Sequence, residues 1–461
     1  MRYWVSAPQK MKRVTYTLSE GINQAVEPLE LSEGQAVSVV NLDSFESPTL
    51  SVRDGFTLYG EAEGYINRLF MFKGVLYYGN GKGLYKRNGN AWDAVYEYTD
   101  TNNNRLWDAA QFFDGSKLYF VNDDLQLQEY DGSTLTALTD APAGSAFLTT
   151  HANRFYLANR NNNNLSYSAL RDASDWSDVD EYVGSGTIVV ESEDGELPTG
   201  LTNFADHVIL FKRYTMHELF GEDSTNFTMA NPYPYGCISD RSIVVTKYGL
   251  FFLGPDGVYL YQGGNAPQKI SDPVKKYIES INMEHSRHCV AGSDGRFLYV
   301  SLVTGTSTLP NVTLKYDMEY RTWWVEDYVA TAYFLDGQTF YVAIGSNIYT
   351  KGGNDDNGNP IEWEWVSKPF TEGDEISKKS LHKLWLVADI EESSSVNVYY
   401  SADSEGDNWT LAKSIQPTGR LQNIRIPLIV KTPSEWFRIK ISGQGKAKFH
   451  RLVREVARRG V

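Results

Sequence analysis

Three groupings in this 461-residue chain combine residue types and spacings that chemistry uses. Gly79-Asn80-Gly81-Lys82-Gly83 is rich enough in glycine to cradle a phosphate. Such a cradle needs a helix N-terminus behind it, and here the flanks alternate like hairpin strands, so a turn is expected. His285 and His288 form an HxxH with Cys289 adjacent, a possible set of metal ligands. No second cluster stands nearby in sequence, and ordinary histidines are the simpler reading. Asp100, Asn102 and Asn104 repeat at calcium-loop spacing. Arg105 occupies the place of the turn glycine and no bidentate Glu follows, which favours a polar loop.

A fourth stretch, SADSEGDNW (401–409), is close to the Asp-box turn of sialidase-like propellers, with one extra residue. In such turns the Asp orders its own hairpin, and no carboxylate pair in a glycosidase setting accompanies it. The sequence therefore predicts no catalytic, cofactor-binding or metal-binding residues, and no enzyme.

Composition narrows the class. The 58 acids outnumber the 43 bases, giving a formal charge of −15, which argues against coating nucleic acid through overall positive charge. Two cysteines, Cys237 and Cys289, make neither a disulfide framework nor a zinc cluster, and fit synthesis in a reducing cytoplasm. No apolar run approaches membrane-spanning length, and residues 1–13 lack the apolar core of a signal peptide, so no membrane association is expected.

The elements that would position any site come from a repeat. Aromatic-rich strands recur as GVLYYGN, DGSKLYFVN, NRFYLAN, HVILFKR, GLFFLG, GRFLYVS and GQTFYVAIG, centred on Tyr77, Tyr119, Tyr156, Ile209, Phe251, Tyr299 and Tyr341. Their spacings are 42, 37, 53, 42, 48 and 42 residues. Many are followed by a second such strand, among them GLYKRNG (83–89), GVYLYQGG (257–264) and VTLKYD (312–317). A period in the forties with two strands per hairpin is what a four-stranded propeller blade requires, with Tyr, Phe and Leu filling the wedges between blades. The expected fold is all-β: a propeller of six or seven blades over residues 45–360. An antiparallel β-sandwich follows over 361–461, and an arm at 1–44 leads to a strand that helps close the ring. Gly352 to Pro360 reads as a linker. The one helix signal covers 271–282, with Ser271 or Asp272 as cap and Val274, Ile278 and Ile281 on one face.

Charge is unevenly spread. Residues 438–461 hold Arg438, Lys440, Lys446, Lys448, Arg451, Arg454, Arg458 and Arg459 against one acid, Glu455. That segment carries +7 and the remainder −22. These bases are candidate subunit or DNA contacts, set against a plain Lys/Arg-defended strand edge. On the first view, deleting residues 446–461 weakens assembly and leaves the propeller folded.

Several segments, in this order, carry a resemblance. Gly21-Ile22-Asn23 with Pro28 is followed by EGQAVSVVNLD (33–43) and LSVRDGF (50–56). NRFYLANRNNNNLSYSALRDASDW (153–176) then leads to GLTNFADHVILFKRYTMHELFG (200–221), GLFFLGPDGVYLYQGGNAPQKIS (249–271) and VTLKYDMEYRTWW (312–324). Together they resemble tail hub or nozzle proteins of tailed bacteriophages, including the packaged-DNA stabilisation proteins of short-tailed phages. The likeness is one of element order and short motifs over most of the chain. It implies a homo-oligomeric ring, usually a hexamer, below the portal and adaptor. Such a ring touches other tail proteins, continues the channel through which double-stranded DNA passes, and helps retain the packaged genome in the virion. The family offers no catalytic residues to carry over. The alternative is a propeller adhesin that stacks sugars on exposed Trp92, Trp107, Trp176, Trp323 or Trp324. A sialidase-like hydrolase ranks last.

Overall fold

The computed structural model describes residues 11–458 apart from 113, 178, 192–194, 404–407 and 429–432. Each of the seven aromatic strands is the second strand of its own sheet, six of these sheets being four-stranded and antiparallel and the seventh six-stranded. The sheets span residues 66–97, 108–137, 145–189, 198–229, 244–269 and 290–326, and a seventh spans 330–351. The blade count is therefore seven. In the seventh blade only three strands are consecutive; the fourth is Phe56–Glu61, antiparallel to Asn347–Lys351, and the short strands Asp355–Asp356 and Asn359–Pro360 extend the sheet beyond it. A strand from before blade 1 thus completes the last blade and closes the ring.

The apolar core divides the same way. Seven clusters of buried side chains fill the seven gaps between neighbouring blades. Phe112 of blade 2 stacks on Phe155 of blade 3 at 5.1 Å, and Phe211 of blade 4 meets Phe252 of blade 5 at 4.8 Å. Flat rings fill a wedge that widens outward, because each presents a large apolar face with few rotamers to fix. First strands of adjacent blades touch one another, so they line the axis and run along it in one direction.

An eighth cluster belongs to a two-sheet sandwich. One sheet runs Leu42–Asp43, Leu50–Val52, Ala447–Arg458, Lys379–Ile390 and Leu421–Pro427, with Met11–Tyr16 also paired to Ala447–Arg458. The other runs Ala36–Val40, Glu362–Ser367, Arg438–Gln444, Ser395–Ser401 and Thr410–Ile415. The arm assigned to ring closure therefore goes elsewhere: strands at residues 11–52 join the C-terminal sandwich, and the closing strand lies within the 45–360 segment. The physical reason is burial. Ala36 and Val39 present an apolar face that needs a second sheet, and Glu362–Ser367 offers an edge to it. The ring is in effect inserted into the sandwich between residues 52 and 362.

The segment expected as a helix over 271–282 forms a 3-10 turn, Asp272–Val274, and one α-turn, Lys275–Glu279. Val274, Ile278 and Ile281 do share a buried face, in the gap between blades 5 and 6. Ser271 does not cap it; its hydroxyl accepts the Val258 N–H at 2.9 Å. Asn282 N–H bonds to Val303 O at 2.8 Å and draws the chain off into the neighbouring blade. No helix among the described residues is long and apolar enough to cross a membrane.

Candidate functional site

The glycine run forms the turn between Val75–Asn80 and Gly83–Asn88. Asn80 Oδ1 accepts the N–H groups of Lys82 and Gly83, each at 2.9 Å. Gly79 is needed for close packing: a Cβ there would lie 2.5 Å from the indole of Trp107. Cys289 Sγ accepts the Val303 N–H at 3.3 Å, and burial pushes its thiol up to about 12, far from a thiolate ligand. Asp100 is held by Arg105 at 3.0 Å, and Asn102 Oδ1 accepts the Asn104 N–H. In the Asp-box-like stretch, residues 404–407 lie outside the described residues; Asn408 donates to Asp403 at 2.7 Å.

Asn104 and His288 meet instead at one end of the ring axis. His288 Nε2 lies 3.1 Å from Asn104 Oδ1, and Arg287, from the same turn, donates to Asn104 O and to the Asp123 carboxylate. Asp123 is also paired with Arg160 at 2.9 Å. Arg241, just before blade 5, donates to Thr331 O and reaches Tyr65 OH at 3.4 Å and His288 O at 3.5 Å. These contacts join blades on opposite sides of the ring, so polar side chains close this end of the axis. Burial, then Arg241 and Arg287, hold His288 down at about 3, so it is neutral near pH 7.

The basic segment is largely turned inward. Arg454 is buried, pairs with Glu372 at 2.9 Å and lies 3.6 Å from the Phe370 ring centroid. Arg438 is buried beside Trp409. Lys440 pairs with Glu364 at 3.3 Å and Lys448 with Glu46 at 2.6 Å, while Lys446 donates to Arg53 O. Arg451 is exposed. The side chain of Arg458, and Arg459, lie outside the described residues. Of the six described side chains, only Arg451 is left open for a partner without breaking a bond within the chain. The sequence missed this because the segment's acids come from distant residues. Ala447–Arg458 is moreover paired with Met11–Tyr16, Leu50–Val52 and Lys379–Ile390, so deleting residues 446–461 removes an interior strand of a sheet.

Of the tryptophans considered for sugar stacking, Trp107, Trp323 and Trp324 are fully buried. Trp92 is half-buried, edge-on to Tyr78 at 4.8 Å, and Trp176 donates to Ala173 O.

A surface not singled out by the sequence is the long connection between the third and fourth strands of blade 3. Leu170, Val179, Tyr182 and Val183 are exposed there, Val179 at 95%, as is Val189 at the end of the fourth strand. The connection is pinned from beneath: buried Arg154 donates to the carbonyls of Ser168, Tyr182 and Gly184. Apolar side chains held in place at a surface are a feature of interaction sites. Five apolar residues spread over 170–189 show no period, which is why sequence pattern alone passes over them.

No family model and no curated protein matches the chain. Among solved structures, it is similar to the extracellular domain of a putative hybrid two-component system from B. thetaiotaomicron, at 11% identity and a TM-score of 0.44. That match covers 65% of this chain and 39% of the other, so the chain spans well under half of that relative. It is also similar to the WD40 domain of Neurospora crassa Pan2, with 11% identity and TM-score 0.44, covering 67% of this chain and 97% of that one. A chain of a mitotic checkpoint complex matches at 12% identity and TM-score 0.45, covering 65% and 93%. These likenesses concern the fold alone, and the strand pairing assigns it: an all-β, seven-bladed propeller carrying a β-sandwich.

Proposed function

We propose that this chain is a structural virion protein, a ring-forming hub or nozzle component of a phage tail, with no catalytic role. In this reading copies of the chain, six by the resemblance, surround a lumen below the portal and adaptor. The ring extends the DNA channel, helps retain the packaged genome and lets it pass on ejection. The observation that carries the reading is the pinned apolar connection of blade 3, a surface suited to a second copy of the chain. The closed axis supports it too, since side chains bonded across the ring leave no bore for a duplex within one propeller. Any conduit then lies between copies. Net acidity along such a lumen keeps DNA from binding tightly, over roughly 8 Å at physiological salt.

The test is the mass of the assembled protein in solution, read with an axial projection image. A ring is expected for the native chain. The paired substitutions Val179→Asp and Tyr182→Asp, both at exposed positions, are expected to give monomers with unchanged thermal unfolding. A monomeric or trimeric native protein that binds glycans would point to the adhesin instead.

A further inference from the structure

The closed end of the axis forms the floor of a cavity of about 590 Å³. Its walls are the first strands of blades 1, 5, 6 and 7, together with Ala109 of blade 2. The charged side chains that line it are Arg68, Arg241 and Lys247, and no carboxylate is among the lining residues. That is unexpected in a chain of −15. The walls are otherwise largely apolar, with Phe70, Val245, Phe334 and Leu335 along them.

The three cations are not equivalent. Arg68 is paired with Asp108 at 2.6 Å, just outside the cavity. Lys247 is exposed at the far end of its strand, near the mouth. Arg241 is at the floor, 4% exposed, and its bonds run to a phenol and two carbonyls. Among the described residues it has no carboxylate within ion-pairing distance, and its Nε has no hydrogen-bond partner. Asp240, its neighbour in sequence, has Arg160 as its ion-pair partner, at 3.9 Å. A guanidinium stays charged at any ordinary pH, and burying a charge without a counter-charge is costly. Arg53 and Arg454, also buried, have the acids Glu326 and Glu372, and Arg154, buried without an acid, donates to carbonyls from all three of its nitrogens, whereas Arg241 Nε is left over.

We infer that the axial cavity is a binding site for a small organic anion, with a carboxylate or phosphate group at Arg241 and an apolar body against Phe70 and Phe334. The missing counter-charge selects the anionic head, and the apolar walls select the body. The volume is that of an ordinary small-molecule site. Lys247 at the mouth draws the anion in without touching its final position. The closed floor excludes duplex DNA as the occupant. The inference does not depend on ring assembly.

The test is calorimetric titration of the full chain with phenyl phosphate and with benzoate, using benzyl alcohol as the neutral control. One anion or both should bind with one-to-one stoichiometry, at least tenfold more tightly than benzyl alcohol. Arg241→Met should weaken that binding tenfold or more, and Lys247→Gln by two- to threefold. Should Arg241→Met not fold, Val245→Trp serves in its place, because that side chain is 53% exposed and an indole there fills the cavity. It should abolish binding and leave the thermal midpoint unchanged. Absence of binding by both anions at millimolar concentration would overturn the inference. Equal binding of benzyl alcohol, or unchanged affinity in both Arg241→Met and Val245→Trp, would do the same.

Discussion

The seven gaps between blades and the joint between ring and sandwich are both buried, yet they are built from opposite materials. Between blades the contacts are mainly apolar and often aromatic, with ion pairs such as Arg68–Asp108 and Lys351–Asp294 at the margins: Tyr299 of blade 6 stacks on Tyr333 and Phe340 of blade 7 at 5.8 and 5.3 Å. At the joint Trp324 of blade 6 packs into the sandwich core, and a buried ionic cluster lies beside it. Lys315 of blade 6, 1% exposed, lies 2.6 Å from Asp43 of the sandwich and 2.9 Å from Glu326. Arg53, in the strand-to-strand link, pairs with Glu326 at 3.0 Å and with Asp356 at 2.8 Å. Burial would push the Lys315 ammonium down, but Asp43 and Glu326 hold it above the usual lysine range. Burial would raise Asp43, but Lys315 brings it below the usual carboxylate range. Apolar packing tolerates small shifts of one blade against the next, because the hydrophobic effect has no direction. Buried ion pairs are favourable only in one geometry, so they fix a relative orientation. The ring is thus held by area, and the sandwich is held at one angle to it by charge.

The sharpest way to break this contrast is to make the same kind of change on each side. Lys315→Met keeps apolar bulk but strands Asp43 and leaves Glu326 with Arg53 alone, and is expected to cost about 3–5 kcal/mol in denaturant unfolding. Adding Asp43→Asn and Glu326→Gln should recover much of that loss. No recovery would mean that shape, rather than charge, holds the joint. The polar closure of the axis offers a smaller effect through pH. His288 sits at about 3 in the folded chain against the ordinary 6.5, so its neutral form is favoured by folding. Its stabilising contribution is complete above pH 6.5 and is lost as pH falls from there toward 3. Between pH 7 and pH 5 the native chain should lose about 2 kcal/mol more than His288→Gln, as measured by urea titration at each pH. The difference between the two proteins isolates the histidine from Asp108, which burial raises to about 6 and which works in the opposite sense. The smallest effect is expected in a wedge. Phe155→Leu, between Phe112 and Tyr119, should cost about 1–2 kcal/mol and leave the ring closed. A loss as large as that of Lys315→Met would erase the distinction between the two kinds of contact.

Much of the ring is legible in the sequence. Tyr77 through Tyr341 recur because each blade must fill one wedge, and that demand writes a local, periodic signal into the chain. The glycine run at 79–83 was legible for the same reason, since hairpin turns are local. The sandwich was only half legible. Its C-terminal strands alternate visibly, but nothing in MKRVTY shows that Met11 pairs with Ala457. The basic segment misled most: its bases stand together in sequence, whereas Glu372, Glu33, Glu46 and Glu364, which pair with three of them, are scattered over the chain.

By itself, then, the sequence determined the all-β class and the repeated blade, since these depend on neighbours within a few tens of residues. Tertiary structure alone decided that seven blades close through Phe56–Glu61, that strands from residues 11–52 and 362–458 share one sandwich, and that Arg241, among the described residues, lies without a counter-charge at the floor of the axis. Each of these depends on which distant residues meet, and pairing across hundreds of residues leaves no period in the chain to read.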